Sequence, residues 1–308
     1  MNILVTGVCG LIGRSIAIHL LNQKNTVTGI GRSNCNNLDE SLLSNYFSID
    51  LASQDAVKEL NKVVLANDID LVVHCAAQQP KADISFKKYM QGNVNTTESI
   101  VEWAKSNKVK AMISFSTVAF LDFPLEDDVA ITELGGVSPK NYYALSKWVS
   151  ESYMRLLKYN SNFSVLCFRI PSLVHEDQNG GVAYTYWNSA FKNTNLEVYD
   201  NGQYRRNLIY IDSILEVVDI AITKIYDYKG FNLYNLGSKD SWTLLEIAEY
   251  IYRKMGTVAK PHPVDQSNLV QGHWNIDTRK AQNELGFSPW STREVLDSYI
   301  QNMNGRKV

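Results

Sequence analysis

The chain has 308 residues, 45% hydrophobic and 20% charged, and 30 basic against 32 acidic side chains leave a net charge of -2. One large or two modest globular domains fit that composition. The evenly mixed charge argues against an extended nucleic-acid groove or a polybasic membrane patch, and no apolar run approaches membrane-spanning length. Met1-Asn2-Ile3 enters a core strand at once, which leaves no room for a signal peptide and predicts a cytoplasmic protein.

Asn2 to Val5 is an apolar run of strand length that feeds into Thr6-Gly7, and Gly7, Gly10 and Gly13 follow where a strand would give way to a helix. Ile12, Ile16 and Leu20, with Ile18 and Leu21, keep an apolar face at helical spacing until Asn22-Gln23-Lys24-Asn25. Thr26 to Ile30 then reads as a second buried strand. The unit is βαβ. In such a unit Gly7 permits the tight turn, Gly10 lets backbone approach a diphosphate, and Gly13 lets helix and strand pack closely, with the diphosphate on the helix N-terminus. The spacing is G-x-x-G-x-x-G rather than G-x-G-x-x-G. The strand before, the helix after and the second strand close behind carry the assignment as a dinucleotide loop.

A cofactor without a 2′-phosphate is usually held by a carboxylate at the end of the second strand, some ~20 residues past the glycines. This chain offers Gly31, Arg32 and Ser33 there, with Asn34, Asn36 and Asn37 behind. A guanidinium pairs with a phosphate dianion through two parallel hydrogen bonds, and a missing carboxylate removes a repulsion. Arg32 and Ser33 therefore predict NADP(H), with NAD(H) as the alternative. Cys9, Cys35, Cys75 and Cys167 are scattered with no C-x-x-C pair, and three lie in or beside apolar strand-like segments. That pattern predicts buried free thiols rather than disulfides or a metal site.

Tyr46 to Asp50 reads as a third strand, delivering Asp50 to the same end of the sheet, as a cap for a helix over 53–66 or against the adenine. Leu71 to His74 is a fourth strand, followed by the small residues Cys75-Ala76-Ala77, which suit backbone lying against a ligand. His74, inside an apolar run, reads as a hydrogen-bonded structural histidine. A helix from about Tyr89 to Ser106 holds Asn93 near its start. Ala111 to Phe115 is a fifth strand ending in Ser116-Thr117, a helix opens at Tyr142 and runs to about Tyr159, and Ser164 to Ile170 is a sixth strand. This alternation predicts an α/β fold, a doubly wound parallel sheet of the Rossmann type, with ligands at the carboxyl ends of its strands. After Pro171 the rhythm breaks, with an aromatic helix over 180–192, a short strand over 196–199, a turn at Asn201-Gly202 and the basic pair Arg205-Arg206 ahead of another strand. The predicted organisation is a dinucleotide-binding domain over 1–170, to which part of the later chain returns, and a smaller, mainly substrate-binding lobe over 171–308.

Tyr143 and Lys147 are four residues apart, one turn apart on one helix face. A free phenol has a pKa near ~10, and a neighbouring ammonium stabilises the phenolate and lowers it. Tyr143 then becomes a usable general acid or base, and Thr117 can hydrogen-bond the same substrate oxygen. Ketone reduction needs a hydride on carbon and a proton on oxygen, and Tyr143 can give the proton.

These pieces together resemble the extended short-chain dehydrogenase/reductases, the NAD-dependent epimerase/dehydratase family, of the nucleotide-sugar-modifying type. The resemblance covers nearly the whole chain. It is carried by TGVCGLIG at Thr6 to Gly13, Ile49-Asp50, His74 to Ala77, Asn93 with Thr96-Thr97, Ser116-Thr117, YYALSK at Tyr142 to Lys147, RRNLIYID at Arg205 to Asp212, YNLGS at Tyr234 to Ser238, and IDTRKAQNELGFSP at Ile276 to Pro289. It implies Thr117, Tyr143 and Lys147 as the catalytic trio. Gly7, Gly10, Leu11, Ile12, Gly13, Asp50, Leu51, Ala76, Ala77, Asn93 and Pro171 would line the cofactor, and Lys147 would also hold the nicotinamide ribose. Arg206 would grip the diphosphate of a nucleotide sugar, and Thr117 would also face the substrate. The helices starting near Asn93 and Tyr143 would serve a homodimer.

The leading expectation is an NADPH-dependent reductase of a nucleotide-linked keto-deoxysugar feeding surface polysaccharide synthesis, with no nucleic-acid, membrane or metal partner. An NAD(P)-dependent nucleotide-sugar epimerase is the main rival. A small-carbonyl reductase is favoured by the absence of Lys and Arg from Pro263 to His273. The non-enzyme alternative is an NADP-sensing binding protein, against which the intact Tyr143/Lys147 pair counts.

Overall fold

In a computed structural model, which describes residues 1–32, 35, 43, 45–64, 69–159, 163–266 and 272–306, the apolar runs of the sequence become the strands of a central sheet. Ser33, predicted to stand beside Arg32, lies outside the described residues. Two compact units are present. The first comprises Met1–Phe120, Ser138–Arg169 and Leu215–Tyr234, and the second Leu121–Val137, Ile170–Ile214 and Asn235–Val308.

Along the chain, β1 (Asn2–Thr6), α1 (Leu11–Asn22), β2 (Thr26–Gly31), β3 (Asn45–Ser48), α2 (Ala56–Val63), β4 (Leu71–His74), α3 (Phe86–Tyr89), α4 (Thr96–Ser106), β5 (Ala111–Thr117), α5 (Tyr142–Arg155) and β6 (Ser164–Ile170) come first. They are followed by β7 (Ser172–Val174), α6 (Val182–Phe191), β8 (Leu196–Val198), β9 (Arg205–Arg206), β10 (Leu208–Tyr210), α7 (Ile211–Lys224), β11 (Gly230–Asn235), β12 (Trp242–Thr243), α8 (Leu244–Met255), β13 (Pro261–Pro263) and α9 (Thr292–Gly305).

The first unit is built on the seven-stranded sheet, in the order β11-β6-β5-β4-β1-β2-β3. The pairs of β1 with β2 and β4, of β2 with β3 and of β4 with β5 are parallel. β4, β5 and β6 are buried along their whole length, as strands covered on both faces must be, and so they read as apolar runs without alternation. Leu4, Val72, Met112 and Val165 pack with Ile100 and Trp103 of α4 in one core. Strand order reverses between β1 and β4, the switch point outside which open α/β sheets bind ligands. Register places Thr6 opposite both Ile30 and His74, so the ends of β1, β2 and β4 meet there.

Two elements depart from their predicted form. The helix expected from Tyr89 to Ser106 starts at Phe86 and carries a π turn over Met90–Asn95. Loop packing explains why that turn lies there: a Cβ on Gly92 would stand 2.6 Å from Cβ of Gln78, and Asn93 is bonded to the Gln78 backbone. Such π turns gather at functional sites. The helix predicted over 53–66 begins at Ala56, with Asp55 in the cap position. Asp50 instead accepts the N–H of Ala52 at 3.1 Å and folds a local turn.

The second unit holds short two-stranded pieces, β7 with β10, β9 with β12 and β8 with β13, and the helices α6, α8 and α9. Its two long helices are cut to length by local chemistry. Thr243 with Glu246, and Ser291 with Glu294, form reciprocal capping boxes at the starts of α8 and α9, and Gly256 in the left-handed conformation ends α8.

Candidate active site

The glycine turn is a cradle of backbone. Gly7 has φ +67°, and a Cβ on it would lie 2.6 Å from the backbone nitrogen of Ala76. A Cβ on Gly13 would lie 2.3 Å from the carbonyl oxygen of Gly7, so only glycine lets α1 approach the turn this closely. Gly10 caps α1 in an extended conformation with no side-chain hydrogen bond to the first helical turn. The backbone N–H groups at that helix start suit a diphosphate. Leu11 and Ile12 open the helix, half-buried. Ala76 donates its N–H to Oγ1 of Thr6 at 3.3 Å, which holds its backbone against the glycine turn, and the half-buried Ala77 follows it. The glycine turn and the start of α1 therefore fit the diphosphate of a dinucleotide at the switch point.

Arg32 is exposed just past β2. Leu51 is buried while Asp50 is exposed. His74 is buried between Thr6, whose Oγ1 lies 2.8 Å from its Nδ1, and Thr97, 3.3 Å from its Nε2. Burial, with help from the Lys147 charge, holds its pKa down at about 3, so the ring stays neutral. Asn93 is buried too. Its side chain accepts the Gln78 N–H at 2.7 Å and donates to the Gln78 carbonyl at 3.3 Å and to Ser146 Oγ at 2.7 Å, tying the loop after β4 to α5.

Thr117, Tyr143 and Lys147 come together at the carboxyl end of β5. Asn141 starts α5 by accepting the N–H of Ala144 at 2.8 Å, and this sets the phase that turns Tyr143 and Lys147 inward. Lys147 donates from Nζ to the Phe115 carbonyl at 2.8 Å. Its pKa is lowered by burial, against the negative influence of Cys167, Glu151 and Cys75. Tyr143 differs from the sequence-based expectation. Burial pushes its phenol up to about 12, a hydrogen bond with Thr117 works the other way, and Tyr89 adds to the rise. Lys147 does not depress it, because its ammonium is directed at the Phe115 carbonyl and desolvation of the phenol dominates. Tyr89 packs edge-on to Tyr143 with ring centres 6.2 Å apart, and its hydroxyl accepts the Lys81 N–H and donates to the Lys81 carbonyl. An open cleft of about 570 Å³ lies in front of Tyr143, lined by Pro80, Ala82, Ile84 and Ala119 among others.

Beneath the trio lies a charged cluster that the sequence reading missed. Glu151 is fully buried and accepts from Ser116 Oγ at 2.8 Å, from Arg169 Nε at 2.9 Å and Nη2 at 2.8 Å, and from Arg155 Nη2 at 2.8 Å. Burial alone would raise its pKa, but the hydrogen bond and charge of Arg169, with Arg155 and Ser116, hold it below the usual carboxylate range. Its signal was present in the sequence: an acid four residues after Lys147, on the inward face of the same helix. The cysteine prediction is corrected as well. Cys75 and Cys167 carry free thiols, but Cys9 and Cys35 form a disulfide, because the return of β2 beside β1 brings together positions that are remote in sequence.

Arg206 and Pro171 belong to the second unit. Arg206 is buried there, donating to the Arg205 carbonyl at 2.9 Å and the Gly272 carbonyl at 3.1 Å. Its guanidinium lies 4.9 Å from the ring centre of Trp274, which stacks on Phe123. Burial lowers its pKa to about 10. Among the described residues no group of three His, Cys, Asp or Glu is placed to hold a metal ion, and no helix is long and apolar enough to cross a membrane.

The model of the NAD dependent epimerase/dehydratase family matches residues 3–237. Among relatives, dTDP-4-dehydro-6-deoxyglucose reductase of Escherichia coli is 24% identical, with 98% of this chain and 96% of that protein covered. UDP-glucose 4-epimerase of Bacillus subtilis is also 24% identical, over 100% and 99%. The solved structure of UDP-glucose 4-epimerase from Thermotoga maritima with UDP-glucose shares the fold with a TM-score of 0.84 at 19% identity, covering 99% of each chain.

Proposed function

We propose that this chain, which belongs to the NAD dependent epimerase/dehydratase family, is an NADPH-dependent reductase of a nucleotide-linked keto-deoxysugar. The observation that carries this reading is Arg32, exposed at the end of β2, with no Asp or Glu from Gly31 to Leu38. A guanidinium there attracts a 2′-phosphate, and the missing carboxylate removes the group that selects a free ribose hydroxyl.

The bound nicotinamide would supply the hydride. Tyr143 holds its proton through the neutral range, its phenol lying at about 12, and is suited to deliver it to the carbonyl oxygen as hydride reaches carbon. Thr117 would hydrogen-bond that oxygen, and Lys147, whose Nζ is held by the Phe115 carbonyl, would hold the nicotinamide ribose. The cleft at Tyr143 is lined by Pro80, Ala82, Ile84 and Ala119 together with Lys81, Asn141, Tyr89 and Tyr142, a mixture of apolar and hydrogen-bonding groups that suits a sugar ring. In the second unit Arg206 is the residue proposed for the nucleotide's diphosphate, through bidentate charge-assisted bonds.

The Escherichia coli relative named as a reductase of a dehydro-deoxyglucose nucleotide supports the reading. The relatives named as epimerases favour a second one, in which the cofactor stays bound and is reduced and reoxidised on the same substrate. Incubation with NADPH and a panel of nucleoside-diphosphate 4-keto-6-deoxysugars separates the two. The reductase consumes NADPH in step with product, whereas an epimerase interconverts sugars with no net change in nicotinamide absorbance.

A further inference from the structure

The Cys9–Cys35 pair is not used by the chemistry proposed for Tyr143, yet it sits between the glycine turn and the end of β2. In a βαβ unit the diphosphate lies on the helix start and the adenosine ribose reaches from there to the end of the second strand. In this chain that interval runs from Gly10 to Gly31 and Arg32. Cys9 precedes Gly10, and Cys35 follows Arg32 by three residues. A Cβ on Gly31 would lie 2.6 Å from Cys9 Sγ and 2.6 Å from Tyr46 Oη, so the Cys9 sulfur rests on the last residue of β2. The bond to Cys35, with Cα atoms 5.0 Å apart, ties the glycine turn to a residue three positions past Arg32, beside the interval in which such a unit holds the adenosine ribose.

We propose that Cys9 and Cys35 are a redox-reactive pair, the dithiol being the form that binds dinucleotide and the disulfide the form that binds it weakly. Oxidation proceeds by exchange with a low-molecular-weight disulfide. The Cys9–Cys35 S–S bond forms, the S–S bond of the small disulfide breaks, and the two cysteine protons and two electrons leave with the two small thiols released. A dithiol reductant reverses the step. Cys9 is half-buried and is the more exposed of the two, while Cys35 is buried. The other two thiols are poor competitors, since burial pushes Cys75 up to about 12 and also raises Cys167, leaving little thiolate at neutral pH.

The test takes the full chain, equilibrated with excess dithiothreitol or with oxidised glutathione, and scores the bridge by mass spectrometry of blocked peptides. NADPH and NADH are titrated into each form. The expected result is a Kd at least tenfold higher in the bridged form, restored on reduction, with Cys35→Ser binding like the reduced chain under both conditions. Equal affinities in the two forms with the bridge verified, absence of the bridge under oxidised glutathione, or a Cys35→Ser variant that still responds would each overturn the proposal. The inference rests on the dinucleotide reading of the glycine turn and not on the choice of NADPH. If NADH alone binds and loses affinity on oxidation, the pair stands and the NADPH reading falls. If NADPH binds equally to both forms, the reverse holds, and if neither nucleotide binds either form, both fall.

Discussion

Replacing Glu151 by alanine should cost the chain much of its stability, although the residue touches neither cofactor nor substrate in the proposed chemistry. The carboxylate is fully buried and its partner Arg169 is 1% exposed, so the variant leaves a guanidinium in the interior with its ion partner removed. Breaking a buried pair from one side costs about 3–5 kcal/mol. The contact with Arg155 adds little, because that side chain is 41% exposed and exposed pairs are worth about 1 kcal/mol or less. With an unfolding entropy near ~2.1 cal/mol/K per residue, a chain of 308 residues loses about 1.5 °C per kcal/mol. Thermal melts followed by circular dichroism should show Glu151→Ala falling by about 5–8 °C, and Arg155→Ala by no more than ~1.5 °C. The pH dependence has a definite sign. The Glu151 carboxyl is held below its unfolded pKa, so its contribution is complete above the unfolded carboxylate value near ~4.3 and is lost as pH falls through the lower folded value. Glu151→Gln should therefore remove part of the acid sensitivity. A Glu151→Ala variant that melts within about 1 °C of the parent at neutral pH would refute the assignment of this cluster as the support beneath β5 and α5.

Three further outcomes follow from the site. Tyr143→Phe should lower kcat by roughly 10²–10⁴-fold, the usual worth of a positioned proton donor, while NADPH titrations of the same preparation change little. Arg32→Ala should weaken NADPH by about 1.5–3 kcal/mol, the range for hydrogen bonds to a charged group, and leave NADH almost unaffected, as paired titrations under reducing conditions would read. Gly13→Ala should yield a chain that no longer binds either nucleotide or fails to fold, because its Cβ would lie 2.3 Å from the Gly7 carbonyl; crystallisable protein with unchanged affinity would contradict the close approach of α1 to the turn.

The local parts of this molecule are legible in its sequence. Three glycines after a short apolar strand suffice to mark the turn, since the requirement they meet, room for backbone where a Cβ would clash, is a property of those residues themselves. The strands β4, β5 and β6 are equally plain because burial on both faces leaves no polar alternation to obscure them. Tyr143 and Lys147 declare themselves through helical spacing. The environment of Tyr143 does not: the sequence puts an ammonium one turn away, but the position of the Phe115 carbonyl decides where that ammonium goes, and burial decides the direction of the phenol's shift.

Sequence alone thus determined the strand and helix alternation, the glycine turn and the spacing of Tyr143 and Lys147, because each depends on residues within a few positions of one another. Only the tertiary structure decided which remote groups meet. It joined Cys9 to Cys35 by returning β2 alongside β1, seated Glu151 of α5 against Arg169 of β6, and folded a π turn where Gln78 presses on Gly92. Such pairings follow from the register of a sheet and the packing of helices on it, and local spacing carries no record of either.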